Sequence, residues 1–310
     1  MEVVIVGSGA VGSALHLYLK KRHRVTLIAR NRERRDQIAL HGIEVEDRVR
    51  GVRETIIPRV LAAEDVVEGL ESVGDADVVF VAVKAYDIEN ALNVAKRISG
   101  DPCVVTLQNG IEPYERSLQI FGDRAVHGVV TFGAYRPSLD RVVISSSGKI
   151  YVGSYLGRTR CVDTVLQCLR DAEVDAEYVD NLRGWLWLKL LVNAAINPLT
   201  ALLKVKNGVV AQSPLKELAI AIVEEGLEVV KRLGIELPLD PREVMIRVAR
   251  ETGENISSML QDVVACRRTE VDYINGVLIR YAEQLGLEAK LNRALYTLIK
   301  AVESLCLYHR

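Results

Sequence analysis

The chain reads as a doubly wound α/β domain followed by an all-helical one, and three features point there. Short apolar runs alternate with helix-period stripes over the first ~180 residues. One of those runs, residues 78–83, is apolar throughout, as a parallel strand buried on both faces must be. After Asp180 the helical period continues almost to the end with no further strand signal. At about 150 residues per domain, 310 residues divide into two, placed at 1–179 and 180–310.

Residues 3–6 form a first strand, followed by glycines and a helical stripe at Val11, Ala14, Leu15 and Tyr18. Residues 24–29 make a second strand, 77–83 a third and 103–107 a fourth, with a crossover helix at about 87–98 between the last two. From 125 to 155, β-rich segments broken by Gly133, Pro137 and Gly148 read as antiparallel strands extending the far edge of the sheet. In the second half, Ser213 as N-cap and Pro214 in the first turn open a helix lined by Leu215, Leu218, Ala219, Ile222, Val229, Val230 and Leu233, which Gly234 closes. A final long helix is expected from Thr269, with Asp272 three residues on and a stripe at Val271, Ile274, Leu278 and Leu285.

Composition removes several functions. Forty Lys and Arg against 41 Asp and Glu leave a net charge of −1, with no basic stripe for nucleic acid or an anionic membrane. No uninterrupted apolar run approaches the ~20 residues of a membrane span, and no basic-then-apolar leader opens the chain. The five cysteines are odd in number and scattered, without a Cys-x-x-Cys, and no two histidines stand four apart. Neither a disulfide scaffold nor a metal site is expected, and a cytoplasmic location follows. The apolar helical half suggests a homodimer.

Gly7-Ser8-Gly9-Ala10-Val11-Gly12 follows a strand and opens a helix. In that context the first glycine permits a tight turn, the second lets backbone approach a pyrophosphate and the third lets helix and strand pack closely, with helix N–H groups facing the phosphates. Dinucleotide binding is the reading. Eighteen residues past Gly12, where an NAD site places an acid, stands Arg30. A guanidinium suits a 2′-phosphate, so NADPH is the cofactor expected, with Lys84 after the third strand as a second phosphate contact. FAD would call for a second glycine fingerprint, which is missing.

Asn109, after the fourth strand, could bond a nicotinamide amide or a substrate, or simply make an Asn-Gly turn. Lys189, Asn193 and Asn197 recur at steps of four in an apolar helix and share a face within about 80°. Such a stripe must be satisfied internally, by snorkelling or by a ligand. A desolvated lysine also has the lowered pKa of a general acid working near neutrality. Ser258 and Glu270 are 12 residues apart and converge only if the helix breaks between them, with Thr269 as the break. Glu270 could equally be a helix-dipole complement, and Ser257 or Ser258 a cap.

The glycine motif, Val83-Lys84-Ala85-Tyr86, Leu107-Gln108-Asn109-Gly110, the Lys–Asn–Asn helix ending Asn197-Pro198-Leu199-Thr200-Ala201-Leu202, and the Ser-Ser-Met-Leu-Gln-Asp…Thr-Glu-Val-Asp-Tyr-Ile-Asn-Gly block together resemble the ketopantoate reductase family over essentially the whole chain. The resemblance implies a Rossmann domain joined to a helical domain like the C-terminal one of 6-phosphogluconate dehydrogenase. It also implies NADPH-dependent reduction of 2-dehydropantoate to (R)-pantoate for pantothenate and coenzyme A synthesis. Lys189 matches the family's catalytic lysine, and Glu270 its essential glutamate beside substrate and cofactor. Asn193 and Asn197 match residues at the substrate's hydroxyl end, Ser258 with Asn255 nearby those at its carboxylate, and Asn109 the substrate–nicotinamide junction. Arg30 and Lys84 match the grip on the 2′-phosphate. Two rivals stand beside this one: a reductase of the same plan for another 2-keto or 3-hydroxy acid, and a nucleotide sensor without catalysis, which would need neither Lys189 nor Glu270.

Overall fold

The computed structural model describes residues 1–308. The first part of the chain runs β1 (Glu2–Val6), α1 (Ala10–Leu19), β2 (Arg24–Ala29), α2 (Arg32–His41), β3 (Ile43–Asp47), β4 (Val52–Ile56), β5 (Arg59–Ala62), α3 (Ala63–Glu68), β6 (Val78–Val81), α4 (Ile88–Ala95), β7 (Cys103–Thr106), α5 (Glu112–Phe121), β8 (Ala125–Val130), β9 (Gly133–Ser138), β10 (Arg141–Ser146), β11 (Ile150–Gly153), α6 (Arg160–Asp171) and β12 (Ala176–Tyr178). It continues with α7 (Leu182–Leu203), α8 (Leu215–Arg232), α9 (Pro241–Glu251), α10 (Ser258–Val264), α11 (Asn275–Gln284) and α12 (Lys290–Tyr308). Two units result: Met1–Gln108 with Glu112–Leu182, and Asn109–Ile111 with Arg183–Arg310.

In the first unit an eight-stranded sheet has the order β12–β11–β8–β7–β6–β1–β2–β5. β1, β2, β5, β6, β7 and β8 run parallel to their neighbours, and β11 pairs antiparallel with β8. Every residue of β6 is buried, as its unbroken apolar text requires. Of the segments read as antiparallel strands at the far edge, β8 and β11 do extend this sheet, but only β11 is antiparallel, since β8 runs parallel to β7. β9 and β10 instead join a second sheet, β4–β3–β10–β9, which corrects that expectation. The sequence concealed this sheet because β4 is exposed at four of its five residues, so no apolar alternation marks it.

Cys103 on β7 and Cys161 on α6 are joined as a disulfide, with Cα atoms 5.3 Å apart. One pair is not a disulfide scaffold, but the scattered cysteines gave no sign of it. Fifty-eight residues separate the two, and such a long-range pairing leaves no local spacing pattern.

The helical unit is organised around α7. This helix is long and apolar enough to cross a membrane, with mean hydropathy 1.5, and 78% of that stretch is buried inside the protein. Val192, Ala195, Ile196 and Leu199 pack there with Ala219, Ile222 and Val223 of α8 and with Met245 and Ala249 of α9. Leu218, expected on the buried face of α8, is 38% exposed. Ser213 does not cap that helix. Its Oγ donates to the Glu217 carboxylate instead, and the helix begins after a cis Ser213–Pro214 bond. The single long helix from Thr269 is also corrected. A 3₁₀ turn, Val271–Tyr273, precedes α11, and α11 ends before Gly286, at φ +66°, which an L side chain rarely adopts.

Candidate active site

β1, β2 and β6 are adjacent and parallel, with Val6 level with Ile28 and with Val81. The loops leaving their carboxyl ends therefore emerge at one edge. Gly7 has φ +119°, and a Cβ there would lie 2.8 Å from the Ala82 carbonyl oxygen. A Cβ on Gly12 would run into the Gly7 carbonyl. Both glycines are thus required by the chain's own packing. Gly9 is not, because a Cβ there would make only an ordinary 3.8 Å contact. Gly9 occupies the cap position of α1 with no side-chain cap hydrogen bond, so the first-turn N–H groups lack a capping side chain. Ser8 is buried beside it, and Ala10 and Val11 start the helix half-buried. A cradle with bare backbone at Gly9 and an uncapped helix start fits a dinucleotide pyrophosphate.

Arg30 directly follows β2 and is exposed. Its neighbours are engaged. Asn31 caps α2 by accepting from the Arg34 N–H at 2.9 Å. Arg32 is bonded to Asp65 and Glu68, and Arg35 to Asp36 and Asp65. Among the described residues the Arg30 guanidinium has no such partner, so it is open to an anion at this edge. Lys84 is half-buried and leads into the 3₁₀ turn Ala85–Asp87. Gln108, to which the sequence reading assigns no role, is buried and donates from Nε2 to the carbonyls of Val81 (2.8 Å) and Val83 (3.1 Å). It ties the ends of β7 and β6 together.

In the helical unit α7 carries Lys189, Asn193 and Asn197 on successive turns. Burial lowers the Lys189 ammonium to a pKa of about 8, and the Glu270 carboxylate opposes the fall. Glu270 is 6% exposed. Its Oε2 accepts a 3.0 Å bond from Asn109 Nδ2, and Asn109 Oδ1 accepts from Asn193 Nδ2 at 3.4 Å. Residues 161 apart in sequence meet this way. Gly110 permits it: at φ +90°, a Cβ there would lie 2.6 Å from the carbonyl oxygen of Tyr273, in the turn just after Glu270. The structure therefore brings Lys189, Asn193, Asn109 and Glu270 together.

One turn further on, Asn197 is 5% exposed. Ser257 caps α10, its Oγ accepting from the Leu260 N–H at 3.1 Å, and accepts a 2.7 Å bond from Thr200 Oγ1. Thr200 stands three residues past Asn197, so this bond fixes the start of α10 against that turn of α7. With Ser257 used as the cap, the Ser258 hydroxyl has no protein partner among the described residues, and neither has the Asn197 amide. Asn255 is half-buried, its backbone bonded to Thr252 and Asn207. Thr200 carries the geometry without having been expected to. Its only sequence signal is that it extends the 189–193–197 face by three residues.

The family described as ketopantoate reductase PanE/ApbA matches residues 3–157, and its C-terminal counterpart matches residues 181–303. A 2-dehydropantoate 2-reductase of Archaeoglobus fulgidus is 37% identical, covering 98% of each chain. One from Pyrococcus horikoshii is 35% identical, again over 98% of each. Among solved structures, D-mandelate dehydrogenase with NADH and anilino(oxo)acetate superposes with a TM-score of 0.88 at 25% identity, covering 99% of both chains. On the two family matches and these full-length identities, the chain belongs to the ketopantoate reductase family.

Proposed function

We propose that the chain is a 2-dehydropantoate 2-reductase, reducing the C2 carbonyl of ketopantoate to (R)-pantoate with NADPH on the route to pantothenate and coenzyme A. The observation that carries this is the Lys189 ammonium, brought to about 8 by burial, with the Asn109-anchored Glu270 in its field. At pH 7 about nine-tenths of such a lysine is protonated, so it holds a proton to give near neutrality.

NADPH supplies the hydride when bound, held by the Gly7-to-Gly12 turn with Ser8, Ala10 and Val11, by Arg30 and Lys84 at its 2′-phosphate, and by Asn109 and Glu270 at its nicotinamide end. Lys189 donates its proton to the C2 oxygen as negative charge builds there, where an ammonium helps the transition state more than the ground state. Asn193 and Asn197 take the substrate's hydroxyl end, and Ser258 with Asn255 its carboxylate. Neutral amides and hydroxyls hold a small acid without burying another charge. The cleanest test is NADPH oxidation followed at 340 nm with ketopantoate, where turnover is expected. Its absence, with NADPH still bound, would refute the activity.

The likeness to D-mandelate dehydrogenase favours one second reading, a reductase of another 2-keto acid using NADH. Comparing kcat/KM for ketopantoate with that for benzoylformate and 2-ketoisovalerate, each with both cofactors, separates the two. A cytoplasmic location and a homodimer belong to the same proposal. Light scattering is expected to give twice the 34.4 kDa chain mass.

A further inference from the structure

Pro198 lies inside α7. Proline lacks an N–H and crowds the carbonyl four residues earlier, which here is that of Ala194, between Asn193 and Asn197. In an apolar helix core that carbonyl needs another donor. Asn275, the first residue of α11 and 0% exposed, supplies it: Nδ2 donates to the Ala194 oxygen at 3.0 Å. The same Nδ2 donates to Asn292 Oδ1 at 3.0 Å. Asn292 is held in turn, its Nδ2 donating to the Ile222 carbonyl and to Glu225 and its backbone N–H to Glu225. Asn275 Oδ1 is buried with no hydrogen-bond partner among the described residues. A flipped amide would turn that oxygen towards the Ala194 carbonyl and lose both donor contacts. The residue is thus oriented as a donor.

Asn275 also follows directly on the turn after Glu270. We propose that Asn275 is a positioning residue whose side-chain amide replaces the helix hydrogen bond removed by Pro198, fixing the turn of α7 between Asn193 and Asn197 relative to the segment that bears Glu270. This rests on the reading above for the reaction that is positioned, though not for the hydrogen-bond exchange.

The test is a double-mutant cycle. Asn275→Leu, of similar size, orphans the Ala194 carbonyl. Pro198→Ala returns a backbone N–H to it. We expect N275L to raise the KM for the keto acid about tenfold or more and to lower kcat, with the KM for NADPH within twofold, and to lower Tm. In the P198A background the same substitution should cost much less in both Tm and keto-acid KM. If N275L alone does not fold, recovery of a folded, active N275L/P198A protein supports the proposal, and failure of the double variant to fold overturns it. An equal Tm penalty in both backgrounds overturns the exchange. Wild-type kinetics in folded N275L overturn the positioning role. Should the wild-type chain not reduce ketopantoate at all, the Tm cycle still reads the exchange, so the two failures are distinguishable.

Discussion

The two units encode their sites in opposite ways. In the first unit the turn proposed to hold the nucleotide consists of glycines and a helix start within six residues, and its reasons are steric: Gly12 has room for nothing beyond hydrogen against the Gly7 carbonyl, and Gly7 for nothing beyond hydrogen against that of Ala82. In the helical unit the proposed acid is one side chain on α7, and the contacts that build its surroundings come from afar. Asn109 reaches Glu270 across 161 residues, Thr200 reaches Ser257 across 57 and Asn275 reaches Ala194 across 81. A backbone cradle is set by sterics and tolerates few substitutions. A side-chain constellation is set by hydrogen bonds and can be dismantled one member at a time.

That contrast can be broken or sharpened by substitution. Lys189→Ala should cost about 10²–10⁴-fold in kcat while the NADPH Kd, from fluorescence titration, stays within about twofold. A collapse of NADPH affinity would show that the two ends are not separable. The same amine opposes folding. With its folded pKa at about 8 against 10.5, the buried charge destabilises the protein below pH 8, and the penalty fades as pH rises from 8 to 10.5. The interval is worth roughly 3 kcal/mol, so Lys189→Met should raise Tm at pH 7, and a lowered Tm would contradict the burial argument. Arg30→Ala should raise the KM for NADPH about 10–100-fold and that for NADH little. Equal effects would remove the 2′-phosphate contact. The smallest change is Thr200→Val, expected to raise the keto-acid KM less than tenfold by loosening Ser257 from α7, with NADPH kinetics unchanged.

What the sequence disclosed follows the same division. The glycine turn, Arg30 at the end of β2 and the Lys–Asn–Asn face were legible because each is a pattern within one element. The second sheet was hidden, since β4 is mostly exposed and its pairing with β3 leaves no apolar period. The break before α11 was partly visible at Thr269. Its form was not, because the 3₁₀ turn is held from α12, with the Thr269 N–H and Oγ1 donating to Glu303 at 2.7 and 2.6 Å. Nor could spacing disclose the pairing of Cys103 with Cys161 or the donor role of Asn275. Both depend on partners fixed only by the tertiary fold.

The proton donor can be read most directly from the pH dependence of kcat/KM for ketopantoate reduction. With Lys189 acting as the acid, the rate should fall tenfold per pH unit above about pH 8, following loss of one proton from a group that is absent in Lys189→Ala. A profile flat from pH 7 to pH 10, or a fall that persists in the alanine variant, would assign the proton to another group.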